Sequence, residues 1–152
     1  MKIVILTLLF VCLSCKSQKK GVEHNEENVQ MDEPTLVLKD NYSNIDSSQI
    51  SVIKDQKALN KFFVQVNKTR KPGLPVPEID FTKEMMILIC AGEQKGSYVP
   101  RVTIVNEDAG NMIVNISKNQ ASDSTDTAMS TPFFLYKMPI SEKLITFKKS
   151  DQ

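Results

Sequence analysis

The chain has 152 residues, enough for one compact domain, and 24% of them are charged. Its formal net charge of +1, from 19 Lys and Arg against 18 Asp and Glu, excludes the strongly basic footprint of a nucleic-acid-binding protein. One histidine and three cysteines exclude a disulfide-rich scaffold and leave few residues for zinc binding or histidine-dependent catalysis.

The amino-terminal segment has the pattern of a secretory signal peptide. Lys2 supplies a positive charge, residues 3–13 are apolar apart from Thr7, and the small residue Ser14 precedes Cys15. The pattern resembles a bacterial lipoprotein leader, which implies cleavage before Cys15 and acylation of that cysteine with a palmitate-type anchor. Such an anchor holds a protein to a membrane without spanning it. An ordinary secretion signal, covering the same residues 1–14, is the alternative.

Residues 15–34 are polar, rich in Lys and then in Glu and Asp, and show no hydrophobic period. A segment of this composition buries too little apolar surface to offset its ordering entropy, so we expect a flexible tether. The single histidine, His24, lies in this segment, away from any candidate nucleophile.

An ordered domain is expected over residues 35–150. Residues 35–38 and 50–53 have the composition of short strands. Asp55 then has the position of a helix N-cap, and a helix over residues 56–67 is predicted. Its apolar residues fall at i, i+3, i+4 and i+7, which predicts one stripe packed on a sheet: Leu59, Phe62, Phe63 and Val66.

The centre of the chain predicts two strands joined by a glycine-flanked loop. Residues 85–91 are all apolar, as expected of a strand covered on both faces, and residues 98–105 alternate between apolar and polar. With Gly92 and Gly96 between them, the two strands are expected to form a hairpin. Cys90, the one free thiol left after cleavage before Cys15 and acylation of Cys15, is interpreted as a small buried hydrophobe, with a reactive thiol as the alternative.

Further strands are predicted at 112–116, 133–138 and 144–147, with a turn at 107–111 and a long polar loop at 118–130. No helix separates these strands, which favours antiparallel pairing. The predicted fold class is mainly β: a small antiparallel β-sandwich or rolled sheet of about seven strands, with one helix closing an end.

The central motif resembles the C-terminal domain family named after the protease complex subunit PrcB. The matching features cover residues 50–148: an Asp-Phe pair at 80–81, the apolar strand 85–91, Gly92, Gly96 and Tyr98, and a late Pro-Phe pair at 132–133. The chain departs from the family at Ser97, where the family has a second adjacent glycine. The resemblance implies association with an extracytoplasmic protease or its complex, without catalysis.

We expect an envelope-anchored, non-catalytic protein-interaction module, facing the periplasm rather than the cell surface. Its membrane contact would be the lipid anchor, and its partner a protease or another envelope protein. Loops 92–96 and 118–130 are the expected contact loops; their candidate residues are Gly92, Glu93, Gln94, Lys95, Gly96 and Tyr98.

Two questions stay open at the level of sequence. Tyr98 is either a contact anchor or a core residue. The alternative function is a small-ligand-binding lipoprotein with a pocket between sheet and helix. We expect no cofactor and no metal, because Asp123 and Asp126 lack the spacing and glycine of a calcium loop.

Overall fold

The computed structural model of the chain describes residues 33–96, 99–119 and 128–150, with Asn119 described by its backbone alone. These ranges contain one α-helix, α1, and nine strands, of which seven have five or more residues. The elements in chain order are β1 Thr35–Asp40, β2 Gln49–Ile53, α1 Gln56–Val66, β3 Glu84–Cys90, β4 Gln94–Lys95, β5 Val99–Glu107, β6 Asn111–Asn119, β7 Met129–Ser130, β8 Phe133–Pro139 and β9 Leu144–Ser150. The fold is a small β-sandwich with one helix, as predicted.

Two main sheets form the sandwich. The first has four strands in the order β1-β8-β3-β2, and all its pairs are antiparallel. The second has three strands in the order β5-β6-β9. The pair β5–β6 is antiparallel, but β6 and β9 run parallel. The predicted antiparallel pairing is thus found in every strand pair of the two main sheets except β6–β9. A parallel neighbour needs a crossover connection, and the chain makes one by placing β8 in the first sheet before it returns as β9.

The predicted central hairpin does not form. β3 belongs to the four-stranded sheet and β5 to the three-stranded sheet, so the connection between them crosses from one sheet to the other. The reason is that both edges of β3 are occupied, one by β2 and the other by β8. No edge of β3 is left for β5, which pairs with β6 instead.

β3 is covered on both faces, as its apolar run predicted. Met86, Leu88 and Cys90 belong to a core layer shared with the helix, and Met85, Ile87 and Ile89 to a second layer between the two sheets. Full burial of a large aliphatic side chain stabilises the fold by roughly 1.5–3 kcal/mol, so this strand makes a large contribution to stability.

The helix begins where the sequence placed it. Asp55 is its N-cap, and the Asp55 carboxylate accepts a hydrogen bond from the Ala58 backbone N–H at 2.7 Å. The predicted stripe is buried against the four-stranded sheet, where Phe62 meets Phe133 edge-to-face with ring centroids 5.0 Å apart. The helix thus covers a face of this sheet and does not close an end, because the outer side chains of β3 and β8 need a cover along their length.

Different elements lie at the two ends of the sandwich. The register of β2 on β3 runs from Gln49 opposite Cys90 to Ile53 opposite Met86, so the helix begins at the Met86 end. Leu144, the first residue of β9, lies opposite Asn111 at one end of the second sheet. The Cys90 end of β3 leads directly into the 92–96 loop, which contains most of the predicted contact residues.

Candidate interaction surface and inter-sheet pocket

Two loops that are far apart in the sequence meet at the Cys90 end of the sandwich. β4 pairs antiparallel with β7, and the register places Gln94 opposite Ser130 and Lys95 opposite Met129. The predicted contact loops 92–96 and 118–130 are therefore joined by a two-stranded clip. Residues 120–127 of the second loop lie outside the described ranges.

Gly92 has a structural role in this arrangement. Its φ is +76°, and a Cβ at this position would lie 2.8 Å from the Ser48 backbone nitrogen and 2.9 Å from the Asp46 carbonyl oxygen. The next residue, Glu93, donates its backbone N–H to the same Asp46 carbonyl at 3.0 Å. Only glycine fits so close to a neighbouring backbone at positive φ. Gly96, at φ +77°, also has a left-handed backbone.

Large side chains are exposed around the clip. Met129 is 46% exposed. Lys95, opposite it in the register, and Glu93, two residues earlier in the chain, are also exposed. Tyr42 is 54% exposed and forms an isolated parallel bridge with Thr131, two residues after Met129. We call the surface formed by Tyr42, Glu93, Lys95 and Met129 the clip surface.

The backbone of Tyr42 is held by a charged pair. Arg70 forms a two-pronged ion pair with Asp40, and its guanidinium also donates to the Tyr42 carbonyl oxygen at 2.7 Å. Asp40 in turn accepts from the Tyr42 backbone N–H at 2.8 Å. The exposed ring is thus carried on a fixed backbone.

Sequence analysis did not single out Tyr42, because it lies in a loop rich in Asn, Ser and Asp that was interpreted only as a turn. An aromatic residue within such a polar loop was the available signal.

A pocket of about 260 Å³ opens beside the clip, between the two sheets. Its apolar lining consists of Ile50, Ile89, Ala91 and Ile116, and its polar lining consists of Ser48, Gln94, Lys118, Lys149 and Ser150. The small-ligand alternative had placed a pocket between sheet and helix. In the described residues the space between sheet and helix is filled by the first core layer, and this pocket lies between the sheets instead.

Two polar groups of the pocket are notable. The Gln94 side-chain nitrogen is buried and has no hydrogen-bond acceptor among the described residues. The Lys149 ammonium donates to the Ser48 hydroxyl at 3.2 Å, which links β9 of one sheet to the segment that precedes β2 of the other. No carboxylate side chain is among the residues that line this pocket in the described part of the chain.

Cys90 is fully buried, as interpreted from the apolar run. Burial raises the pKa of the Cys90 thiol from 9.0 to about 11, and the amide of Gln49, 4.0 Å from the sulfur, lowers it only in part. Burial and the raised pKa together make this thiol a poor nucleophile in the folded domain and favour the buried-hydrophobe interpretation.

Several predicted features lie outside the described residues: the signal peptide 1–14, Cys15, most of the tether, His24, Tyr98, Asp123 and Asp126. Within the described ranges no group of three His, Cys, Asp or Glu side chains is arranged to hold a metal ion. In the same ranges, no helix has the length and apolar character needed to cross a bilayer.

The chain matches no family model, no curated protein and no solved structure. The resemblance to the PrcB C-terminal domain family therefore stays a prediction based on motifs. Of those motifs, the structure places Gly92, Gly96, the apolar strand and the Pro132-Phe133 pair in one region, since Ala91 donates its backbone N–H to the Pro132 carbonyl at 2.9 Å.

Proposed function

We propose that this protein is an envelope-anchored lipoprotein whose folded domain is a non-catalytic protein-interaction module. Its partner is an extracytoplasmic protease or another envelope protein, and the contact is made by the clip surface. The observation that carries the proposal is the pairing of β4 with β7, which places Lys95 opposite Met129, two residues before Thr131, whose backbone is bridged to that of the exposed Tyr42.

The chemistry of the clip surface suits protein recognition. Tyrosine and methionine are enriched in the cores of protein interfaces, and charged residues such as Glu93 and Lys95 suit a polar rim. The backbone beneath the surface is held by Gly92, which packs on the 46–48 backbone, and by the Asp40–Arg70 pair. A surface on a fixed backbone loses little conformational entropy when a partner binds.

The amino-terminal leader supports the location. Cleavage before Cys15 and acylation of that cysteine would tether the domain to a membrane through the polar segment 15–34, and a segment of this length lets the clip surface reach a partner at the membrane. The periplasmic face of the envelope is the proposed location, because the leader has the pattern of an export signal.

The proposal is tested by affinity capture of the full-length protein from detergent-solubilised membranes. Met129→Asp places a charge in the middle of the clip surface, and we expect it to lower recovery of a stoichiometric partner by at least about tenfold. The matched control is Leu144→Asp, the same kind of change at a residue that is 67% exposed at the other end of the sandwich. Equal recovery with both variants would reject the clip surface as the contact.

The inter-sheet pocket favours a second candidate function, a small-ligand-binding lipoprotein. Its volume of about 260 Å³ and its mixed apolar and polar lining suit a small amphipathic ligand. The two functions share Gln94, which belongs to both β4 and the pocket.

A further inference from the structure

We propose that the inter-sheet pocket binds a small aliphatic carboxylate, with the hydrocarbon part between the sheets and the carboxylate at the mouth. This inference rests on the second candidate function and requires neither the lipid anchor nor a protein partner.

The apolar residues of the lining indicate that the body of the ligand is a hydrocarbon chain. Ile89 and Ile116 are buried, and Ile50 and Ala91 are half-buried, so together they offer a hydrocarbon surface without hydrogen-bonding side chains. A straight or branched chain of about four to six carbons can fill a space of this size. A longer chain or a ring system would extend out of the pocket.

The polar residues of the lining indicate the charge of the ligand's head group. Lys118 and Lys149 both line the pocket and are both exposed at its rim, whereas no Asp or Glu of the described residues lines it. The ammonium of Lys149, which donates to the Ser48 hydroxyl, favours an anion over a cation beside it. Ser48 and Ser150 add hydroxyl groups that can donate to a carboxylate oxygen.

Gln94 contributes to the pocket lining a side chain whose nitrogen donor lacks an acceptor among the described residues. A buried N–H donor without an acceptor costs free energy, and the Gln94 side-chain nitrogen is in this situation among the described residues. Because Gln94 lines the pocket, a ligand carboxylate that reaches this amide can accept a hydrogen bond from it. The ligand thus gains a hydrogen bond that the side chain otherwise lacks.

Lys149 also forms a contact across the pocket mouth. Its ammonium already reaches Ser48, in the segment that precedes β2 of the facing sheet, at 3.2 Å, so a carboxylate placed there contacts groups from β9 and from this segment. The ligand would then add to the contacts that hold β9 against the segment before β2.

The experiment is isothermal titration calorimetry on the full-length protein with hexanoate, at up to ~10 mM ligand. We expect saturable binding that weakens with added salt, since the contact with lysine is partly exposed. Hexylamine has the same tail with a cationic head, and hexanol has it with a neutral head; both should bind at least about fivefold more weakly than hexanoate. An aliphatic carboxylate can come from a free aliphatic acid or from a polypeptide C-terminus, and N-acetyl-leucine distinguishes the two. Tighter binding of N-acetyl-leucine than of hexanoate points to a polypeptide C-terminus.

Titrations of variants test whether the binding heat comes from this pocket. Lys149→Gln should weaken hexanoate binding about threefold and Gln94→Leu about fivefold, whereas Lys148→Gln, an exposed lysine that does not line the pocket, should stay within about twofold. Ala91→Leu fills the pocket and should abolish binding. If Ala91→Leu fails to fold, the Lys149→Gln and Gln94→Leu titrations decide.

Three results would overturn the inference: no saturable heat with hexanoate, equal affinity in the wild type and in the pocket variants, or equal affinity for hexanoate and hexylamine. Each of them leaves the partner-capture result with Met129→Asp unaffected, because that experiment does not use the ligand. The two proposals therefore fail independently.

Discussion

At Gly92 the backbone turns out of β3 with a φ of +76° and passes within van der Waals contact of the 46–48 segment. The positive φ and the close backbone contact at this residue shape the start of the 92–96 loop. It was predicted as a contact residue, and the structure gives it a buried, structural position beneath the clip surface.

Gly92→Ala should therefore lower the free energy of unfolding by about 1–3 kcal/mol, because an L-residue is strained at this φ and its Cβ would meet the backbone. Urea denaturation followed by circular dichroism measures the change. The control is Gly110→Ala in the β5–β6 turn, where a Cβ would have no atom within 4 Å. Similar midpoints for both variants would contradict the assigned role.

Cys90 gives a second prediction at this scale. With a pKa of about 11 against an ordinary 9.0, the folded thiol is about a hundredfold less ionised near pH 8 than an exposed one. Alkylation of the Cys90 peptide, followed by mass spectrometry, should be correspondingly slow in the folded protein and fast in urea. Because the pKa of the Cys90 thiol is higher in the folded than in the unfolded protein, the contribution of the protonated thiol to folding stability is present below about pH 9 and is lost as the pH rises toward 11. Fast alkylation in the native state would contradict burial of the thiol.

At the scale of elements, the two sheets are joined by a side chain as well as by apolar packing. The Tyr136 hydroxyl of β8 donates to the Pro100 carbonyl of β5, and both residues are buried. This contact links strands that are not neighbours in either sheet.

Tyr136→Phe should cost about 1–3 kcal/mol of stability, since it removes a donor from a buried carbonyl without changing the ring. Thermal unfolding of the variant is the measurement. Tyr42→Phe, at a ring that is 54% exposed, is the matched control and should change stability by no more than about 0.5 kcal/mol. An unchanged Tyr136→Phe midpoint would show that the sheets are held by packing alone.

Elements determined by local patterns could be predicted, and their partners could not. The helix followed from the Asp55 cap and the apolar stripe, and β3 from its unbroken apolar run. Which strand lies beside β3 depends on contacts between distant residues, so the hairpin with β5 was wrong. The strands β4 and β7 have two residues each, too few for any hydrophobic period to show.

The candidate site was predictable only in part for the same reason. The 92–96 loop was recognised from its glycines, and a role for the 118–130 loop from its length. Their pairing at Lys95 and Met129, the contribution of Tyr42, and the position of the pocket between the sheets all depend on tertiary contacts that leave no periodic signal.

At the scale of the whole molecule, the proposed account joins a lipid anchor, a polar tether and a rigid domain. Each buried acyl CH₂ contributes roughly 0.8 kcal/mol, so two or three acyl chains on Cys15 would hold a domain of this size firmly at a bilayer. In this proposal the anchor would set where the domain works, and the clip surface would set what it binds.

Cys15→Ser should release the protein into the soluble periplasmic fraction or leave the precursor uncleaved, because serine cannot be thioether-linked to the lipid. Fractionation followed by immunoblotting measures this, and Cys12→Ser, within the proposed leader, is the control that should still yield a mature membrane-bound protein. A Cys15→Ser protein that fractionates as a mature membrane protein would reject the lipoprotein proposal.

The central claim is that the domain acts by binding a partner through the clip surface. The most direct measurement is photocrosslinking in intact cells, with a photoreactive amino acid in place of Lys95 and, as the control, in place of exposed Lys57 at the start of the helix. The account predicts a discrete crosslinked product from position 95 and none from position 57. The same products from both positions, or none from position 95, would contradict it.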